Sequence, residues 1–179
     1  NAYGVCGIYS APGTAVKEAY DTSGIVTNDR GVTVWLKGNR VSRNQIMAIK
    51  EESVTEQKNS LAVCLDNILR HAGITRNTEY DLAQGKTATT ILSENMTGVQ
   101  VLDLSGCTLD AVLYYVNQDI PVLAILEDGE AVLVTGFNEF NVVIMEPATG
   151  KLYKKGMNDA TAWFAENGNH FITYMRIEN

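Results

Sequence analysis

The chain predicts an α+β fold in which helices pack on an antiparallel sheet, and three observations carry that prediction. Ser60–Ala72 (SLAVCLDNILRHA) places Leu61, Cys64, Leu65, Ile68, Leu69 and Ala72 on one continuous stripe at helical spacing. Ile120–Gly150 holds three short apolar runs, Val122–Leu126, Ala131–Phe137 and Val142–Met145, broken by Glu127–Glu130 and Asn138–Asn141. Runs of that length, rich in β-branched residues and bounded by Asp-Gly or Asn, read as consecutive strands. Third, the best helices precede the run of strands, so the two kinds of element segregate along the chain.

The elements follow in order. Tyr3–Tyr9 reads as a short strand. Pro12-Gly13-Thr14 followed by AVKEAY predicts a helix capped by Thr14 and stopped near Gly24. Ile25–Thr27 and Val32–Leu36 flank Asn28-Asp29-Arg30-Gly31, a hairpin turn. Val41–Ile49 fits a third strand or a short helix. The long helix takes its N-cap from Asn59 or Ser60 and stops at Gly73. Thr78–Ala83 and Thr87–Asn95 predict two short helices, Val99–Leu104 a strand, and Thr108–Asn117 a helix capped by Thr108 with Asp110 complementing its dipole. In the central run, Asp128-Gly129 is turn-forming because both residues tolerate positive φ, and Glu146-Pro147 ends the third strand because proline cannot join the ladder. Lys151–Lys155 adds a strand, Asn158 caps a helix running through Glu166, and His170–Arg176 closes the fold.

Composition narrows the class. At 179 residues, 45% hydrophobic and 20% charged, the chain suits one globular domain with a real core. Fourteen basic against twenty-one acidic residues leave a net charge of −7, which argues against nucleic acid as a partner. No apolar stretch is long enough to span a membrane. The sequence begins without Met and shows no signal peptide, so it is expected to be part of a longer precursor. Cys6, Cys64 and Cys107 are an odd count without zinc-ligand spacing and read as buried free thiols. Trp35 and Trp163 read as core or groove lining, and no glycine-rich phosphate loop is present.

The sequence IPVLAI, then GEAVLVTGF, then NVVIMEPATG, following an amphipathic helix, resembles the C-terminal half of a papain-like cysteine peptidase domain. The nearest type is that of the bacteriocin-processing peptidases and their secreted stand-alone relatives. In that family the second strand opens with Gly-His and ends in Thr-Gly-Tyr, and the third ends in Asp-Pro. Here those places read Gly129-Glu130, Thr135-Gly136-Phe137 and Glu146-Pro147. The resemblance covers roughly residues 55–176. It implies a papain-like cysteine-peptidase fold, a central helix packed on an antiparallel sheet or half-barrel. It leaves residues 1–54 as an N-terminal extension with a hairpin, and 55–179 as the peptidase-like core.

The resemblance also implies where chemistry should sit. A thiol peptidase needs its cysteine at a helix N-terminus, where unpaired N–H groups and the dipole favour the thiolate, with an imidazole facing it and a third group orienting the ring. Counting back along the helix from Gly73 puts Ser60 at the nucleophile position. The histidine position holds Glu130 and the orienting-acid position Glu146. The oxyanion glutamine would fall on Val54. Gln57 stands three residues away, so the role does not transfer to it. A serine needs a strong base to form an alkoxide, and a carboxylate is weaker than imidazole by roughly two pKa units.

The expectation is therefore a degenerate, catalytically inactive domain, with no cofactor and no metal. It would bind a peptide or protein in the vestigial cleft, or serve a structural role, in an extracellular or envelope setting of Gram-positive bacteria. The alternative is an active hydrolase with rewired residues, through Cys107 with His170 or through Ser60. Cys64, one turn inside the helix on its apolar stripe, reads as packing. Glu130 and Glu146, with Asp128 or Glu127, could instead take Ca²⁺ or Mg²⁺, although acids near turns are usually just solvated.

Overall fold

A computed structural model describes residues 5, 7–22, 24–37 and 59–177. The element order is α1 (Pro12–Thr22), β1 (Ile25–Thr27), β2 (Thr33–Leu36), α2 (Ser60–His71), α3 (Glu79–Ala83), α4 (Ala88–Asn95), β3 (Val99–Asp103), α5 (Leu109–Asn117), β4 (Val122–Ile125), β5 (Ala131–Phe137), β6 (Asn141–Glu146), β7 (Lys151–Gly156), α6 (Met157–Glu166) and β8 (His170–Arg176). The fold is α+β, as the segregated patterns require. The expected element at Val41–Ile49 lies outside the described residues, as do Val54, Gln57 and Cys6.

Six strands form one sheet in the order β3-β8-β4-β5-β6-β7, antiparallel throughout. The tight turns in the central run dictate this arrangement, because connections this short can only join antiparallel neighbours. The β4–β5 turn closes with Leu126 N–H to Glu130 O (2.8 Å) and Gly129 N–H to Leu126 O (3.0 Å). Only Gly129 in it takes positive φ (85°), while Asp128 contributes its carboxylate as acceptor for Glu130 N–H (2.9 Å). The expectation that both Asp128 and Gly129 use left-handed space is thus corrected. The β1–β2 hairpin repeats the same solution with Asn28 and Gly31 (φ 76°).

β5 is buried along its whole length, with α2 and α5 both packed against it. The helices insert their apolar stripes: Cys64, Leu65, Ile68 and Leu69 from α2, and Leu109, Val112, Leu113 and Val116 from α5. Val16, Ala19, Val34 and Trp35 belong to the same core cluster, so the described part of 1–54 is packed into it.

Several local expectations are corrected. Val5 and Ile8 are exposed and in no strand. α1 begins at Pro12 rather than at a Thr14 cap, with Ala15 N–H bonding Ala11 O, because proline at the first helical position forfeits only an N–H that would be unpaired anyway. α6 takes Gly156, not Asn158, at its N-cap. Asp110, expected to serve the dipole of α5, also receives the Tyr20 hydroxyl at 2.7 Å.

Candidate functional site

The N-terminus of α2 meets the start of β5. Asn59 is the N-cap, its side-chain oxygen accepting from Leu61 N–H (2.9 Å) and Ala62 N–H (3.3 Å). That frees Ser60, which is not the cap but the first helical residue. Its hydroxyl oxygen reaches across and accepts the Ala131 N–H at 3.0 Å. The nucleophile position of the resemblance thus lies against the Glu130–Ala131 peptide. An Asn-Ser pair before an apolar run can be capped by either residue, so the sequence alone left this bond undetermined.

Register brings Glu146 to the same place. Leu133 pairs with Met145, so one step further Glu146 stands across from Val132. Period-two alternation then sends Glu130 and Glu146 to one face. Both carboxylates act on Cys64, one turn into α2: burial first, then Glu146 and Glu130, push its thiol well above the ordinary range. The first turn of α2 is thus tied to the start of β5, and the register puts Glu130 and Glu146 on one face of the sheet. Glu130 is exposed. Glu146 accepts from its own turn at Ala148 N–H (3.4 Å) and pairs across the strands with Lys151. Among the described residues neither carboxylate hydrogen-bonds to Ser60.

The end of α2 is braced from the side. Thr78 donates its hydroxyl to Ala62 O (3.1 Å) and its N–H to Asp66 (2.8 Å). Next to it, the buried Asp81 takes a two-pronged bond from Arg76 (3.0 and 3.1 Å). Arg76 holds that carboxyl below the usual range against the opposing effect of burial.

Neither histidine reaches this end. His71 is at the far end of α2, roughly 16 Å from Ser60 at the helical rise, and its Nε2 lies 2.9 Å from Asp119 O. His170 stands opposite Ile125, which stands opposite Ala131. It is therefore two strands from Ala131, roughly 10 Å in backbone spacing, on the face away from Glu130. Cys107, placed at the start of α5 as the sequence indicated, is 1% exposed and donates its thiol hydrogen to Gly13 O at 3.3 Å. Burial raises its thiol to about 11, with Lys17 lowering it and Asp103 raising it. A thiolate is thus disfavoured at both described cysteines. No group of three or more His, Cys, Asp or Glu side chains arranged to hold a metal occurs among the described residues. No helix among them is long and apolar enough to cross a membrane.

No protein-family model matches the chain, and no curated protein matches it significantly. Among solved structures it is similar to a protein described as a C39-like peptidase from Bacillus anthracis, at 12% identity and a TM-score of 0.61, over 76% of this chain and 100% of that one. At that identity the likeness shows the fold alone: an α+β architecture shared with a protein described as a C39-like peptidase.

Proposed function

We propose that this domain has kept a papain-like frame and lost its hydrolytic chemistry, and that it acts as a peptide- or protein-binding module of a secreted or surface protein. The carrying observation is the Ser60–Ala131 bond. At the position where a peptidase needs a thiolate facing an imidazole, a serine oxygen is spent on a backbone N–H, beside two carboxylates. A hydroxyl in that setting has no base able to take its proton at neutral pH. The extended edge of the sheet and the exposed Tyr153 beside Glu146 offer backbone and aromatic contacts of the kind peptide recognition uses. An extracellular or envelope setting, with peptide or protein as partner and no nucleic acid, accords with the acidic charge and with the resemblance of the strand motifs.

The test is a turnover screen with a diverse fluorogenic peptide set at pH 6–9, with Ser60→Ala run in parallel. The expected result is no hydrolysis above buffer for either protein, with saturable binding of some peptides. Turnover that disappears in Ser60→Ala, or in Cys107→Ala, would overturn the reading.

A further inference from the structure

The first 37 residues contain a second arrangement, independent of any reading of the α2 end. α1 and the β1–β2 hairpin form a layer whose two-stranded sheet is separate from the six-stranded one. It is held by α5, by the turn before it and by β3, where the Asn28 side-chain amide donates to Gln100 Oε1 at 3.0 Å. Trp35, 2% exposed, donates its indole N–H to Ala111 O at 3.0 Å. The Tyr115 hydroxyl returns a bond to Val34 O at 2.7 Å. The Cys107 thiol is capped by Gly13 O of α1. At the rim, the Tyr20 hydroxyl donates to Asp110 at 2.7 Å, and the Trp35 ring lies between those of Tyr20 (6.4 Å) and Tyr114 (6.3 Å).

A hairpin with strands of three and four residues is not stable alone, so this layer is ordered by what it docks against. Its docking rests on a few side chains, whereas each inner strand of the large sheet has a ladder on both sides. Units tied down this way open at lower free energy than the core they cover.

We propose that the N-terminal layer is a strap: it undocks from α5 as one unit while α2 and the six-stranded sheet stay folded, uncovering the Ala111 carbonyl, the Tyr115 hydroxyl and the Cys107 thiol. The two described cysteines report on it separately, since Cys107 lies under the strap and Cys64 inside the core.

The experiment uses the full chain carrying Cys6→Ser, labelled with dithiobis-nitrobenzoate across low urea concentrations, the site of each adduct being read by mass spectrometry. Cys107 is expected to label at least tenfold faster than Cys64 and with weaker urea dependence, while remaining far slower than free cysteine. Trp35→Ala should accelerate Cys107 by tenfold or more, with Cys107 still labelling faster and with weaker urea dependence than Cys64. Tyr20→Phe, which removes only the rim hydrogen bond, should accelerate it several-fold and covers the case in which Trp35→Ala unfolds the chain. Equal rates and equal urea dependence for the two thiols would overturn the strap, as would a Tyr20→Phe variant whose Cys107 rate is unchanged.

Discussion

The starts of α2 and of α5 each hold a buried cysteine and a polar tie, and they solve the same problem differently. At the α5 end, Trp35 fills an apolar site and three buried polar groups are paired across the layer: indole N–H on Ala111 O, Tyr115 hydroxyl on Val34 O, thiol on Gly13 O. At the α2 end the polar groups face outward, with Ser60 half-buried, Glu130 exposed and Glu146 half-buried. Complementary filling marks a surface shaped by packing. A partly open set of polar groups on a buried frame leaves a surface available, which is why we propose the binding role at α2 and the mechanical role at α5.

Substitutions should separate the two ends by size. The largest effect belongs to Trp35→Ala, which empties a buried site and removes the indole donor to Ala111 O; a loss of about 3–5 kcal/mol is expected for a buried aromatic of this kind. Urea denaturation followed by far-ultraviolet circular dichroism measures it. A loss below about 1 kcal/mol would show that Trp35 is not the anchor and would erase the contrast between the ends.

The framework was legible in the sequence where one signal dominated, and not where two competed. The α2 stripe and the three central strands were set by apolar period and turn chemistry, and their boundaries shifted by at most a residue or two. Gly129 and Gly31 betrayed their turns because only glycine takes that φ without strain. The α2 cap was not legible, since Asn59 and Ser60 are both good caps and only the position of β5 decides between them. Nor was the partnership of Tyr20 with Asp110, ninety residues apart, because no local pattern encodes a contact made by packing. The strand motifs located Glu130 and Glu146 at the ends of β5 and β6, and the β5–β6 register puts the two on one face of the sheet.

The brace beside α2 supplies a pH test that the α5 end should not share. Asp81 is held low by its hydrogen bonds from Arg76, then by the charges of Arg76 and Lys86, with burial opposing. A carboxyl depressed in the folded state contributes stability that is present above its unfolded value, near ~3.9, and lost as pH falls through the folded value. Acid should therefore loosen the α3 segment, and Asp81→Asn should flatten stability against pH below about 4. Urea midpoints at stepped pH check this. An unchanged acid limb in Asp81→Asn would assign the acid sensitivity elsewhere.

Loss of the cap is the next smaller effect. Asn59→Ala removes the acceptor for Leu61 and Ala62 N–H and should cost about 1 kcal/mol, with Asn59→Asp close to neutral. Amide exchange at those two residues is the local readout, and protection unchanged in Asn59→Ala would show that Ser60 can take over the cap.

The smallest effect is expected at Ser60 itself. Ser60→Ala deletes one acceptor for the Ala131 N–H at a half-buried site, so water can replace the lost bond and the cost should stay near 1 kcal/mol or below. A residue that carried chemistry would show the reverse signature, negligible change in stability with total loss of turnover. Measuring both quantities on the same protein therefore distinguishes a clip between helix and strand from a nucleophile. A clip also predicts that Ser60→Thr, which keeps the hydroxyl, retains the bond to Ala131, readable as unchanged amide exchange at that residue. A serine that had to attack a substrate would not be judged by that bond at all.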